Sequence, residues 1–292
     1  MKNNRWLLDH RRDVESQFGE DGIIEKIFEV IQPKNKWCVE FGAWDGKHYS
    51  NTYNLIQNHG WSGVLIEGDP ARCAEIKQTH AGKPVHAVNA FVKDNLDELL
   101  PAEVPTDFDF LSIDIDGNDY HVWRTLVAHK PRVVIIEFNS MIPAAVDFVQ
   151  KNDANTTHGN SILAMVRLAK EKGYELVCIN QENAFFVERS LFPLFEIADN
   201  SIDAIKHFHE PMYIYQLYDG TIRVSGAQHL MYYGIEFDLN SRIIQPLPRF
   251  VRRMHIPWKK NAWYHTLLLR FFRRINRPRK RGPNPWDWKR TY

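Results

Sequence analysis

Hydrophobic positions along the chain follow two alternating rhythms. Ile23, Ile24, Ile27, Phe28 and Ile31 fall at helical spacing and predict a helix within 16–31. Residues 37–41, 63–67, 85–90, 109–113 and 132–137 are instead short, continuous apolar runs, the signature of strands buried on both faces. Between them, 51–58, 70–79 and 120–128 read as helices, with Gly60 stopping the first and Pro70 opening the second. An amphipathic helix over 161–172 ends at Gly173, and 174–179 and 184–187 read as two closing strands joined by a polar turn. Strand and helix alternate at intervals of about 20–30 residues, which favours an α/β fold with a parallel sheet covered on both faces. From 191 to 248 the pattern weakens, consistent with an elaboration over a substrate site. The expected organisation is a helical lead-in over 1–35, a main domain over 36–190, the elaboration over 191–248 and a tail over 249–292.

Composition supports a folded body. Apolar residues make up 44% and aromatic residues 13%, enough for a sizeable core. No run of 18 apolar residues predicts a membrane span, and the charged N-terminus does not read as a signal peptide. Cys38, Cys73 and Cys178 stand apart, without metal-type spacing, and are expected to be buried reduced thiols of a cytoplasmic protein. The net charge of +1 conceals a split. Residues 249–292 carry 14 bases against Asp287 alone, +13, while residues 1–248 carry 23 bases against 35 acids, −12. An acidic body and a basic tail point to two tasks.

The chemistry gathers at predicted strand ends. Glu40-Phe-Gly-Ala-Trp-Asp-Gly46 ends the first strand, where doubly wound sheets bind ligands and glycine admits close backbone approach. It lacks the Gly-x-Gly-x-x-Gly pattern of a pyrophosphate loop, and its acidity suits an ammonium or sulfonium better than a phosphate. Glu67 ends the second strand, placed to accept hydrogen bonds from ribose hydroxyls, and Asp69 reads as the cap of the helix that Pro70 opens. Asp114, Asp116 and Asp119 crowd the end of the fourth strand, where like charges raise one another's pKa or require a cation. The glycine and terminal-acid positions of a calcium loop are not met; the plain alternative makes Asn118 or Asp119 the cap of the next helix, but an acid cluster at a strand end beside a ligand loop reads as functional. Glu137 and Asn139, ending the fifth strand, face the same crevice. With Asp114 and Asp116 they offer four oxygen donors for Mg²⁺ or, without a metal, for sugar hydroxyls. For a base, His121 is the best-placed imidazole, Asp116 the alternative and His158 a third. His207 and His209-Glu210 lack matching metal ligands nearby.

These segments, in this order, resemble class I S-adenosylmethionine-dependent methyltransferases and specifically the FkbM-type group. Ser16-Gln-Phe-Gly-Glu-Asp-Gly22 is similar to the lead-in of that group, and the resemblance spans 14–190. It implies a Rossmann-like class I methyltransferase fold: a mostly parallel doubly wound sheet with a closing antiparallel strand, here with a C-terminal extension. It implies S-adenosylmethionine as cofactor, Mg²⁺ remaining open. Glu40, Gly42 and Asp45 would surround the methionine moiety, with Ala43, Gly46 and Asn51 in the same binding loop. Glu67 would hold the ribose, Asn89 and Ala90 would border the adenine, and Asp114 would face the methyl group. Asp114, Asp116 and His121 are the catalytic candidates. The chain departs from the pattern at Asp114-Ile-Asp-Gly117, where the group more often has Asp-x-Glu-Gly. The shorter acid puts any transferred substrate assignment in question.

The implied reaction is O-methylation of a sugar hydroxyl in a glycan or glycolipid precursor. In the tail, Tyr264, Leu267, Leu268, Phe271, Phe272 and Ile275 share one helical face, interspersed with bases. Such a helix suits peripheral binding to an anionic membrane at its inner face, or docks on the body. Nucleic acid is the weaker partner, because the acidic body shows no recognisable module. Two rivals stay open: a Mg²⁺-dependent haloacid-dehalogenase-type phosphatase with Asp114 as nucleophile, Asp116 as acid/base and Asp199 and Asp203 as late acids, and a non-catalytic cofactor-binding scaffold whose tail recruits membrane.

Overall fold

The computed structural model describes residues 3–91, 96–153, 155–207, 211–218, 220–227, 235, 236, 267, 268, 270, 271 and 274. They form two units, Met1–His209 and Glu210–Tyr292. In the first, a short 3-10 turn, Trp6–His10, precedes α1 (Glu20–Ile31). Then follow β1 (Trp37–Phe41), α2 (Tyr53–His59), β2 (Ser62–Glu67), α3 (Pro70–Thr79), β3 (Val85–Asn89), α4 (Leu96–Leu99), β4 (Phe110–Ile113) and α5 (Asp119–Thr125). The unit continues through β5 (Val133–Glu137), α6 (Ile162–Lys172), β6 (Tyr174–Ile179), β7 (Asn183–Glu188) and α7 (Ile202–Ile205). The second unit contains a hairpin, β8 (Tyr213–Gln216) and β9 (Ile222–Ser225).

Seven strands form one sheet in the order β3-β2-β1-β4-β5-β7-β6. The first five are parallel, and β7 runs antiparallel to β5 and β6. The fold is the Rossmann-like class I methyltransferase arrangement, as expected. The continuous apolar runs explain it: Val39, Val64, Leu65, Leu111, Val134 and Ile135 are fully buried, each contributing roughly 1.5–3 kcal/mol. The chain steps outward from β1 to β2 and β3, then returns to the far side of β1 as β4. That reversal opens a crevice between the carboxyl ends of β1 and β4.

Helix ends obey local chemistry. Asp69 accepts from the Ala71 and Arg72 N–H groups while Pro70 occupies the first turn of α3. Ser161 caps α6 through the Ala164 N–H, and Gly173 closes it in the left-handed conformation. The predicted first helix starts late, at Glu20. Residues 13–19 instead coil around two carboxylates, Asp21 Oδ2 accepting from the N–H groups of Val14, Glu15 and Ser16 and Glu20 Oε2 from those of Gln17 and Phe18. The fifth helix stops at Thr125 rather than 128. At the opposite end of the sheet, fully buried Asp109 accepts from the N–H groups of Lys34, Asn35 and Lys36 and from Arg132 at 2.6 Å, tying the entries of β1, β4 and β5 together. All three cysteines are buried and free.

Candidate active site

Strand register delivers the site residues to one rim. Phe41 pairs with Ile113, so Gly42 and Asp114 leave the sheet side by side. Ile113 pairs with Ile136, bringing Glu137 next to Asp114, and Glu67 pairs with Asn89. A cavity of about 450 Å³ opens there, lined by Gln17, Glu40, Gly42, Ala43, Trp44, His48, Tyr49, Ser50, Asn51, Asp114 and Asp116 among others. Gly42 has φ +68°, and a Cβ there would stand 1.9 Å from the Asp114 carbonyl oxygen. Only glycine lets the β1 loop lie against the end of β4. Trp44, Tyr49 and Asp116 hold positive φ values of 49°, 61° and 56° on the same wall. Such strain in three non-glycine residues persists only where surrounding contacts enforce it, commonly at a functional site.

Those contacts are visible. Buried Glu40 accepts from the Ser50 and Thr52 hydroxyls, both at 2.6 Å, and from the Asn51 N–H at 2.8 Å, stapling the loop to the start of α2. Burial raises its pKa despite those bonds. Asn51 extends the staple to the Ser112 hydroxyl on β4. Asp45 accepts from the N–H groups of Lys47 and His48 and from His48 Nδ1 at 2.5 Å. At the end of β2, Glu67 accepts from the Trp44 N–H at 3.0 Å and the Asp69 N–H at 2.8 Å. Asn89 donates to the Glu67 and Gly68 carbonyls, and the Ala90 N–H to Glu67, so this rim is one bonded surface.

Carboxylates dominate the β4 side. Donor atoms of Asp114, Asp116 and Glu137 lie within 4.8 Å of one another. Asp114 is pushed up to about 8 by enclosure and then by Asp119, Asp116, Glu40 and Glu182. Its side chain is still reached by solvent from the crevice, which moderates both the burial and the repulsion and leaves the upward direction. Glu137 is raised well above its ordinary range by burial and by Asp114, Asp119 and Asp116. A cation entering this rim relieves that repulsion. Of the four predicted metal donors, three converge. Asn139 is engaged in its own loop, accepting from the Met141 N–H and donating to the His158 carbonyl.

Asp119 closes the acid turn from inside, accepting from the Ile115 and Gly117 N–H groups, and is pushed up to about 6 by burial. Asn118 occupies the N-cap position of α5 without a side-chain capping bond. His121 is buried on α5 with Nε2 on the Gln150 carbonyl at 2.8 Å, and it does not line the cavity. His158 donates its N–H to Gln150 Oε1. His207 lies against Arg11, while His209 and Glu210 fall outside the described residues. Asp199 caps the Ser201 N–H, and neither it nor Asp203 joins the carboxylate cluster among the described residues.

Sequence reasoning missed Gln17, Trp44, His48 and Tyr49 as cavity walls. Gln17 was within reach: it belongs to the lead-in motif, whose Glu20 bonds Asn180 and Asn183 beside the β6–β7 turn and so anchors it to the rim.

Residues 93–176 match the methyltransferase FkbM domain. The chain is a methyltransferase by that match, in keeping with the order of its sheet. No curated protein matches it. Among solved structures it is similar to SAM-bound CalS10, an amino pentose methyltransferase from Micromonospora echinaspora, at 11% identity and TM-score 0.41, over 58% of this chain and 89% of that one. It is also similar to the O-methyltransferase from Bacillus cereus in complex with SAH, at 18% identity and TM-score 0.42, over 60% of this chain and 84% of that one. A SAM-dependent methyltransferase from Aquifex aeolicus aligns at 9% identity and TM-score 0.38, over 58% and 88%. No helix among the described residues is long and apolar enough to cross a membrane.

Proposed function

We propose that the crevice between β1 and β4 binds S-adenosylmethionine and presents its methyl group to a hydroxyl of a sugar in a glycan or glycolipid precursor. The observation that carries the cofactor is the contact of Gly42 with the Asp114 carbonyl, beneath a rim of carboxylates that suits a cation. Glu40, Gly42, Ala43, Asp45, Gly46 and Asn51 form the loop that cradles the methionine moiety. Glu67 accepts the ribose hydroxyls, Asn89 and Ala90 border the adenine, and exposed Phe91 offers a face beside Gly68. Asp114 and Asp116 face the methyl group and orient the acceptor. With Glu137 they would also suit Mg²⁺, whose charge would settle an acceptor oxygen there.

The cofactor supplies an activated methyl group; the protein supplies placement. Aligning acceptor oxygen, methyl carbon and sulfur converts an encounter into an intramolecular displacement, and that alignment is the largest contribution such a site makes. Sugar hydroxyls are chosen because the acid-rich rim offers acceptors for hydroxyl hydrogens, while the aromatic walls Trp44 and Tyr49 offer ring faces for the C–H side of a sugar. Incubation with tritiated S-adenosylmethionine and a panel of methyl hexopyranosides should yield a base-stable labelled ether. Label appearing only in base-labile esters, or in amines, would refute the hydroxyl assignment.

The basic residues 249–292 are proposed to hold the protein at an anionic membrane surface, from a cytoplasmic location. The charge of +13 supports this, as do exposed Leu267 and Phe271 alongside Arg270 and Arg274 in helical residues of the tail. Leu268 is half-buried, and Tyr264, Phe272 and Ile275 of the predicted apolar face lie outside the described residues. Sedimentation with phosphatidylserine vesicles should be lost in a chain ending at Pro248. Unchanged sedimentation would refute the anchor.

A further inference from the structure

The geometry points to His48, oriented by Asp45, as the base that receives the proton of the acceptor hydroxyl; this assignment rests on the proposed methyl transfer. His48 lines the cavity, on the same loop as Gly42. Its Nδ1 lies 2.5 Å from Asp45 Oδ2, so a carboxylate fixes the tautomer that carries hydrogen on Nδ1. The other nitrogen, Nε2, is left as an acceptor with no hydrogen-bond partner among the described residues. Asp45 is itself fixed: its Oδ1 accepts from the Lys47 and His48 N–H groups, both at 2.9 Å. A carboxylate, an imidazole and an open cavity in series are the parts of an acid–base dyad. His121 has the opposite disposition, its Nε2 committed to the Gln150 carbonyl within the core.

The step balances in atoms and charge. The acceptor oxygen forms a bond to the methyl carbon as the carbon–sulfur bond breaks. That bond's electron pair stays on sulfur, giving neutral S-adenosylhomocysteine. The hydroxyl proton passes to His48 Nε2. The positive charge that enters as sulfonium therefore leaves as imidazolium, in contact with the Asp45 carboxylate. Asp45 is a positioning residue; His48 is the group that touches the acceptor.

Full-length protein carrying His48→Gln should bind S-adenosylhomocysteine with wild-type affinity by calorimetry, while label transfer to methyl hexopyranosides falls about 100-fold. Asp45→Asn keeps an acceptor oxygen for the two loop N–H groups, removes the charge and turns an amide N–H₂ donor toward His48 Nδ1. It should lower kcat more than it alters the KM for cofactor. Long-range proton–nitrogen correlation spectra of the S-adenosylhomocysteine complex, assigned by difference with H48Q, should place the His48 hydrogen on Nδ1. Hydrogen on Nε2, or turnover by H48Q equal to wild type, would overturn the assignment. A parallel loss of S-adenosylhomocysteine affinity in H48Q would also overturn it, assigning His48 to cofactor binding. Failure of the wild type to bind S-adenosylhomocysteine would overturn the cofactor reading itself, and the dyad with it.

Discussion

Gly42→Ala tests how far the crevice depends on one backbone contact. The added Cβ would lie 1.9 Å from the Asp114 carbonyl oxygen and 3.3 Å from the Ile115 side chain. Backbone oxygen cannot swing away as a side chain would, so the β1 loop and the end of β4 must part by more than ~1 Å, a displacement that can cost about 10²-fold in a positioned site. A left-handed backbone adds roughly 1–2 kcal/mol for any residue with a Cβ. Overpacking adds about 1–3 kcal/mol. Together these predict a loss of about 2–5 kcal/mol, or roughly 4–20 °C in Tm for a unit of this size. Thermal unfolding followed by circular dichroism gives the first number. Calorimetric titration with S-adenosylhomocysteine well below that Tm gives the second, with affinity expected to fall at least about tenfold. A variant with unchanged Tm and wild-type affinity would refute the claim that this contact shapes the site.

Glu67→Ala removes the proposed ribose acceptor and one bond to the Trp44 N–H, and should weaken S-adenosylhomocysteine binding by about tenfold or more, since hydrogen bonds to charged groups are worth ~1.5–3 kcal/mol. Full-strength binding would remove Glu67 from the cofactor site. Asp109→Ala should destabilise the first unit by about 3–5 kcal/mol in urea unfolding, because it leaves the largely buried Arg132 guanidinium without its counter-charge and three part-buried N–H groups without their acceptor. A midpoint within error of wild type would contradict that role. Asp97 is pulled below the ordinary aspartate range: burial acts to raise it, but the Ala128 N–H, the His129 imidazole and the Val127 and His129 N–H groups outweigh that. A depressed folded pKa stabilises fully above the unfolded value and is lost as pH falls through the folded one. Unfolding midpoints should therefore drop on acidification, and Asp97→Asn should flatten that part of the profile; an equally steep profile in the variant would contradict it.

The sheet was readable because its inner strands are mostly apolar runs bounded by glycine, proline or acid, and those signals are local; the edge strand β3, Val-His-Ala-Val-Asn, is only half-buried. Asp69, Gly60 and Gly173 act within a few residues of themselves, so their roles followed from spacing alone. The loop from Glu40 to Gly46 stood out at the end of β1 for the same reason, and the cavity opens against it. Its internal order was not. Glu40 is spent on Ser50, Asn51 and Thr52, and Asp45 on His48, partners that a sequence offers without ranking. The base is the clearest case. His121 follows the acid run directly, yet α5 turns its ring into the core toward Gln150, while His48 reaches the cavity because the loop bends at Gly46. The bonds from Glu20 to Asn180 and Asn183 span about 160 residues and leave no local trace.

The central claim is that the crevice at the ends of β1 and β4 is an S-adenosylmethionine site. Calorimetric titration of the full chain with S-adenosylhomocysteine measures it most directly, repeated with S-adenosylmethionine present as competitor. The account predicts saturable one-to-one binding that S-adenosylmethionine displaces. An absence of binding heat across temperatures, with no shift in Tm at millimolar ligand, would contradict it.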